Sequence, residues 1–197
     1  CFRANVWNIG AEGQYILGAV FAGGVAMQAT PQSPQAIVVV ILVAGVLGGM
    51  AWAAITALLR DRFNANEILV SLMLVYVAEM VLAYLVYGPW KDPAGYNFPQ
   101  TVTFANPTKV PRLFDGLRVN IGLVIALVAA TGMALFLFRL FRGFQALVGG
   151  QAPMAARYAG FSSRAALWTA LLTSGGLAGL AGALEATGPL GQLTPYV

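Results

Sequence analysis

The sequence contains no histidine and only one cysteine, Cys1, and each absence excludes a class of protein. A disulfide framework needs at least two cysteines, so none can form within this chain. Zinc and most transition-metal sites draw on cysteine and histidine ligands, so such a site is close to excluded as well. The fold must therefore be stabilised by packing and hydrogen bonding.

Charged residues are also scarce, and apolar residues are in excess. Charged side chains make up 9% of the 197 residues, whereas soluble domains carry roughly 25%. Hydrophobic residues make up 59%, and the mean hydropathy is +0.75. A soluble core of this size cannot bury so much apolar surface, so we expect a polytopic membrane protein. The net charge of +4 is too small and scattered to indicate nucleic-acid binding.

Five apolar stretches are long enough to cross a bilayer, for which a helix needs about 20 residues. Backbone groups in lipid must be hydrogen-bonded within their own segment, which predicts that all five are helices. The predicted fold is therefore all-α, with about five transmembrane helices at residues 13–29, 36–59, 68–87, 119–138 and 166–186. Gly45 and Gly49, like Gly175 and Gly179, are four residues apart, a spacing that favours close helix packing.

The connections between these spans differ in charge, and the difference predicts the orientation. Residues 60–67 carry Arg60 and Arg62, and residues 139–165 carry four arginines and no acidic residue. The positive-inside rule places both connections in the cytoplasm, so residues 88–118 form an external loop. The mixed charges of that long loop are Lys91, Asp92, Lys109, Arg112, Asp115 and Arg118.

A short helix is predicted inside the 139–165 connection, in the stretch GGQAPMAARYAGFSSR (149–164). Pro153 suits the first turn of a helix, where its missing N–H costs nothing. Residues 155–159 favour helix, and Gly160 can end it. We therefore expect a helix of about two turns on the membrane surface, where a cytoplasmic partner can push it.

Several polar residues lie in or beside the predicted spans. NIGAEGQ (8–14) is glycine-broken, so it either lines a translocation path or caps the first span. Asn66 and Glu67 precede the third span and suit helix capping. Glu79, near the middle of that span, costs at least about 2.5 kcal/mol unless it is paired or hydrated. The sequence has no partner for a proton relay, and it lacks the Walker A and nucleophile-elbow motifs, so we do not expect an enzyme.

A set of four motifs covers nearly the whole chain. They are NIGAEGQ (8–14), NEILVSLMLVYVA (66–78), GPWKDP (88–93) with NFPQT (97–101), and GGQAPMAARYAGF (149–161). Together they resemble the permease subunits of bacterial ABC importers in the branched-chain amino acid, ribose and nucleoside group. The resemblance is strongest to the simple-sugar and nucleoside permeases. Val75 and Ala152 depart from the pattern, since the family has asparagine at both positions.

The resemblance implies a transport subunit without an ATPase site or bound cofactor of its own. ATP would be used by two cytoplasmic ATPase subunits, an external solute-binding protein would deliver a nucleoside or simple sugar, and a second permease subunit would complete a homo- or heterodimer. Residues 1–197 would be part of a single permease domain, truncated at both ends, in the bacterial cytoplasmic (inner) membrane. Residues 139–165 would be the cytoplasmic coupling loop.

The resemblance also implies roles for individual residues. The helix at about 153–160 would be the coupling helix, which contacts the ATPase through Pro153, Ala156, Arg157, Tyr158 and Gly160. Solute contacts would come from hydrogen-bonding side chains, namely Asn8, Glu12, Gln14, Asn66, Glu67 and Ser71. Lipid head groups are an alternative partner for Arg157 and Tyr158. Two other functions stay open: an ion-coupled secondary transporter that uses Glu79, and a non-transporting membrane scaffold subunit.

Overall fold

The structure is a computed structural model that describes residues 1–95, 98–111, 113 and 119–195. Within these residues there are seven α-helices: α1 Ala11–Ala26, α2 Ile37–Phe63, α3 Glu67–Tyr87, α4 Gly122–Arg139, α5 Phe141–Gln151, α6 Pro153–Tyr158 and α7 Ser163–Glu185. Single 3-10 turns lie at Phe2–Ala4 and Asn106–Thr108, and a π-helical turn, Ala186–Leu190, extends α7. The predicted all-α fold is confirmed.

Four of the described helices are long and apolar enough to cross a membrane: α2, α3, α4, and α7 with its π-helical turn. They correspond to the second to fifth predicted spans. The first predicted span, residues 13–29, contains α1, which has only 16 residues. At 1.5 Å per residue this helix is about 24 Å long, shorter than the roughly 30 Å hydrocarbon core. The prediction of five spans is therefore confirmed for four.

The predicted cytoplasmic connections are more helical than expected. Arg60 and Arg62 lie in the last turn of α2 rather than in a loop. This helix ends where Asn64 adopts a left-handed conformation, with φ of 49°. The connection at 139–165 contains α5 in addition to the predicted short helix. We call the end where α2 and α4 finish, and where α3 and α7 begin, the arginine-rich end.

The core of the bundle is formed by α1, α2 and α7, which approach one another at glycines. A Cβ atom added to Gly179 would lie 2.3 Å from the carbonyl oxygen of Gly45, and one added to Gly49 would lie 2.2 Å from that of Gly175. A Cβ on Gly18 of α1 would lie 2.3 Å from the Gly179 Cα. Because no side chain fits at these distances, the glycines permit direct backbone contact, as their spacing predicts.

The opposite end of the bundle is tied together by hydrogen bonds between the predicted external loop and the residues after α7. The Thr101 N–H donates to the Leu193 carbonyl (3.0 Å), and the Leu193 N–H donates to the Thr101 hydroxyl (2.9 Å). The Phe104 N–H donates to the Gly191 carbonyl (2.8 Å). Four residues named in the sequence analysis lie outside the described part of this loop: Asn97, Arg112, Asp115 and Arg118.

Helix α4 differs from the other spans in its packing. None of its most apolar stretch is buried, whereas the corresponding part of α7 is 39% buried. Across an apolar groove of about 360 Å³, α4 faces α2 and α7 through Gly132, Met133 and Phe136. The glycine-packed helices therefore form the compact part of the bundle, and α4 lies at its side.

Candidate functional site

The motifs NIGAEGQ and NEILVSLMLVYVA, far apart in sequence, pack directly against each other. A Cβ atom on Gly10 would lie 2.8 Å from the Ser71 carbonyl oxygen, and one on Gly13 would lie 3.1 Å from the Val75 Cα. The glycines of the first motif therefore let its backbone lie on α3 without an intervening side chain. Val75, where the resembling family has asparagine, is buried at this contact with only 6% exposure.

A network of side-chain amides holds the residues before α1 in place. The Asn8 Nδ2 donates to the Gln14 Oε1 (2.9 Å), and the Gln14 Nε2 donates back to the Asn8 Oδ1 (3.1 Å). The Asn8 Nδ2 also donates to the Ser174 hydroxyl of α7 (3.0 Å), and its Oδ1 accepts from the Gly10 N–H (3.1 Å). We call Asn8, Gln14 and Ser174 the amide cluster. It satisfies polar groups that would otherwise be unpaired inside the bundle.

The contacts of NIGAEGQ give its position relative to α7 and α3. Ser174 lies about three turns into α7, roughly 16 Å from Ser163 at 1.5 Å per residue. Gly10 meets Ser71 one turn into α3. Gly10, Gly13 and Gln14 are buried there, whereas Ile9, Ala11 and Glu12 are exposed. NIGAEGQ therefore contacts α3 and α7 on one side and is open on the other.

Below the amide cluster, four charged side chains form a layer at the arginine-rich end. The Arg60 guanidinium of α2 pairs with the Glu67 carboxylate in the first turn of α3. The next residue, Asp61, accepts from the Arg164 Nε of α7 at 2.6 Å. We call Arg60, Asp61, Glu67 and Arg164 the charged layer. The same Asp61 oxygen also accepts from the Trp168 Nε1 (3.2 Å), so two α7 side chains converge on it.

The predicted solute-contact residues fall into different environments. Gln14 and Ser71 are each 1% exposed, and the Ser71 hydroxyl donates to the Ile68 carbonyl of its own helix (3.2 Å). Asn66 caps α3, because its side chain accepts from the Ile68 N–H (3.0 Å). Asn8 is half-buried, and Glu12, in the first turn of α1, is exposed.

The structure brings some of these candidates together and separates others. Asn8 pairs with Gln14, and Ser71 contacts the neighbouring Gly10. Asn66 and Glu67 lie at the start of α3, where Glu67 belongs to the charged layer. Glu79, the residue that an ion-coupled mechanism would need, is exposed on α3. In the described ranges it forms no ion pair.

The predicted coupling helix is α6, and it projects from the arginine-rich end. Pro153 occupies its first turn, and Gly160, with φ of +75°, takes the left-handed conformation that follows its end. Met154 is 78% exposed and Tyr158 is 98% exposed. These two residues are four apart and so share one face of the helix, while Ala156 is buried beneath it. Arg157 is exposed and lines a cleft of about 220 Å³ behind α6.

Helix α5, which the sequence did not predict, supports α6. The Phe161 ring, just after α6, makes edge contacts with Phe141 (5.9 Å between centroids) and Phe144 (6.3 Å) of α5. Gly150 allows α5 to approach the chain start, because a Cβ there would lie 2.3 Å from the Arg3 carbonyl oxygen. Helix α6 is therefore packed against a second helix rather than lying in an extended loop.

Sequence reasoning missed Ser174, Asp61, Arg164 and Trp168. Ser174 is a polar residue within an apolar span, which is a usable signal for a buried hydrogen bond. Asp61 lies between Arg60 and Arg62. Opposite charges on consecutive residues at a helix end indicate contacts with more than one partner. Which helix each of these residues contacts is known only from the structure.

These features define a polytopic α-helical membrane protein with buried polar contacts and an exposed short helix at its arginine-rich end. Residues 1–193 match the family described as "Branched-chain amino acid transport system / permease component". The chain belongs to this permease family. No solved structure matches it.

Several curated proteins are similar to the chain over most of its length. It is 33% identical over 201 residues to the glucose ABC transporter permease protein of Haloferax volcanii, covering 96% of this chain and 52% of that protein. It is 30% identical over 190 residues to the guanosine ABC transporter permease protein of Bacillus subtilis (95% and 54% covered). The nucleoside ABC transporter permease protein of Lactococcus lactis is 24% identical over 202 residues (94% and 53% covered). The chain thus spans about half the length of these relatives.

Proposed function

We propose that this chain is part of the permease subunit of an ATP-driven importer for nucleosides or simple sugars. The observation that carries the proposal is the exposed helix α6 at the arginine-rich end of a membrane bundle. Met154 and Tyr158 present an apolar and aromatic face that no residue in the described part of the chain covers. A partner that binds there can push the bundle as a rigid body and switch it between access states.

The partners follow from the same proposal. Two cytoplasmic ATPase subunits bind α6 and supply the ATP chemistry, so this chain needs no nucleotide site or cofactor. An external solute-binding protein delivers the solute, and a second permease subunit completes the pathway in a bacterial cytoplasmic membrane. The printed names of the relatives, one for glucose, one for guanosine and one for nucleosides, support the solute class.

Within the proposed permease, we assign solute contact first to Glu12. Glu12 is exposed, so its carboxylate is open to a hydroxyl-rich ligand, whereas the amide of Asn8 already bonds Gln14, Ser174 and Gly10 and would position the segment. Gln14 and Ser71 are buried, and Glu67 is paired with Arg60, so these three would position the contacts rather than make them. Asn66 would act through its cap on α3.

Co-purification tests the proposal. The full-length subunit is expressed with its candidate ATPase, and Arg157→Glu combined with Tyr158→Ala is compared with the wild type in detergent. We expect the wild type to retain the ATPase and the double variant to lose it. Arg139→Glu is the matched control, because it reverses the charge of another exposed arginine at the same end. A folded wild-type subunit that never retains the ATPase would contradict the proposal.

Transport measurements separate this function from ion-coupled transport. Uptake of labelled nucleoside or glucose into cells should continue when ion gradients are collapsed and should stop when ATP is depleted. Uptake that follows the ion gradient and falls in Glu79→Gln would instead favour the secondary transporter.

A further inference from the structure

Consecutive residues in the last turn of α2 pair with two different helices. Arg60 pairs with Glu67 at the start of α3, and Asp61 pairs with Arg164 at the start of α7. These are the ion pairs formed among the described residues, and both lie in the charged layer. The end of α2 is therefore bonded to α3, which follows it directly in sequence, and to α7, whose Arg164 is 103 residues away.

Helix α7, on one side of this junction, closely follows the proposed coupling helix α6 in sequence. Arg164 is the second residue of α7 and follows α6 by only a few residues. The Asp61 carboxylate is 11% exposed and accepts from Arg164 Nε (2.6 Å) and Trp168 Nε1 (3.2 Å). Short, charge-assisted bonds of this kind fix direction as well as distance. The first turn of α7 is therefore held to α2 by two side chains.

Helix α3, on the other side of the junction, contacts NIGAEGQ. Glu67 is 7% exposed and is the first residue of α3. One turn further along, Ser71 makes the backbone-close contact with Gly10. Gly10 in turn donates its N–H to Asn8 of the amide cluster. A series of contacts thus runs from the start of α7 through the charged layer to NIGAEGQ, which contains the residue proposed to meet the solute.

We propose that Arg60 and Asp61 are positioning residues that transmit the displacement of α6 to α3 and NIGAEGQ. The inference rests on the proposed function, since it needs an ATPase that moves α6. Only residues 159–162 separate α6 from α7, and the Phe161 N–H donates to the Ala156 carbonyl (2.9 Å), so a displacement of α6 is passed to the start of α7. The Asp61 bonds oblige α7 and α2 to move with the push, and the Arg60 bond passes the movement to α3.

This role predicts loss of coupling rather than loss of folding. Arg164 is 62% exposed, and the Asp61 carboxylate, which is 11% exposed, keeps the Trp168 Nε1 donor when Arg164 is replaced, so the carboxylate is not left unpaired. The test therefore measures the link between ATP hydrolysis and transport.

The experiment uses the full-length importer, reconstituted in liposomes with its ATPase and binding protein. Arg164→Gln removes the charge at an exposed position and so leaves no cavity. We expect it to keep the ATPase bound and basal ATP hydrolysis unchanged, while solute transported per ATP falls about two- to thirtyfold. Arg164→Lys, which keeps the positive charge, should recover most of the loss. Arg139→Gln, an exposed arginine outside the described ion pairs, should transport like the wild type.

The outcomes separate this inference from the function on which it rests. Wild-type transport per ATP in Arg164→Gln would overturn the inference while leaving the importer intact. Loss of the bound ATPase from Arg164→Gln would also overturn it, because Arg164 would then contact the ATPase directly. A wild-type subunit that binds no ATPase would overturn the proposed function itself. Asp61→Asn gives a second measure, and it should reproduce the Arg164→Gln defect.

Discussion

Gln14 shows how a polar side chain is used inside an apolar bundle. Both ends of its amide are bonded to Asn8, and the residue is 1% exposed. In the described chain, no buried side-chain nitrogen or oxygen lacks a partner. Leaving such a group unpaired costs roughly 1–3 kcal/mol, so reciprocal pairing is what makes an amide tolerable here. Gln14 therefore stabilises the irregular backbone that precedes α1.

The contrast between Gln14 and Glu12 gives a prediction at the scale of single residues. Gln14→Leu should lower the free energy of unfolding by about 1–3 kcal/mol, because Asn8 loses its reciprocal partner. Glu12→Ala should change it by less than about 0.5 kcal/mol, because Glu12 is exposed, yet it should lower solute uptake. The measurements are thermal unfolding of the purified full-length subunit and uptake of labelled solute.

Two results would reverse these assignments. Unchanged stability together with lost uptake in Gln14→Leu would place Gln14 in contact with the solute. Normal uptake in Glu12→Ala would remove Glu12 from the solute path. Asn66→Ala is less informative, since it also removes the α3 cap, which is worth about 1 kcal/mol.

At the scale of elements, the long apolar helices were predictable and the short ones only partly. Hydrocarbon thickness sets a minimum length, so α2, α3, α4 and α7 could be located from apolar runs alone. Helix α5 was missed because Gly149 and Gly150 are poor helix formers. Its end is stabilised by tertiary packing, since Gly150 allows the backbone at Arg3 to approach closely. Such support cannot be read from the segment itself.

The site could be predicted in its residue types but not in its pairings. The sequence singled out Asn8, Gln14 and Ser71 as polar groups beside apolar spans. It could not show that Asn8 meets Ser174, 166 residues away, or that Asp61 meets Arg164, 103 residues away. Pairings over such separations depend on which helix faces meet, and here glycine contacts among α1, α2 and α7 set those faces.

The start of α6 offers a prediction at the scale of an element. Ala152 precedes α6 and provides no side-chain cap, so the first N–H groups of the helix have no capping partner from that residue. Ala152→Asn supplies an acceptor and should stabilise this short helix by about 0.5–2 kcal/mol. Hydrogen exchange of the Met154 and Ala155 amides should slow accordingly, by about two- to thirtyfold.

Ala152→Leu is the control for this substitution, because leucine adds bulk without an acceptor. Its exchange rates at Met154 and Ala155 should match the wild type. Equal exchange in Ala152→Asn and Ala152→Leu would mean that the start of α6 is held by its packing on α5 and not by local capping.

At the scale of the whole molecule, packing divides the bundle into two parts. Helices α1, α2 and α7 share close glycine contacts, whereas the most apolar stretch of α4 is not buried at all. The charged layer, by contrast, connects α2, α3 and α7 at one end. The molecule thus has a tightly packed unit, and α6 lies at its arginine-rich end. The side of the membrane on which α6 lies can be measured.

The positive-inside rule predicts that α6 is cytoplasmic and that the loop after α3 is external. Single cysteines at Tyr158 and at Ala94, both exposed positions, report the two sides in a cysteine-free full-length subunit. A membrane-impermeant maleimide should label Ala94→Cys in intact cells and Tyr158→Cys only in inside-out vesicles. Ala78→Cys, buried in α3, should label in neither preparation. Labelling of Tyr158→Cys in intact cells would invert the orientation, and α6 would then be unable to meet a cytoplasmic ATPase.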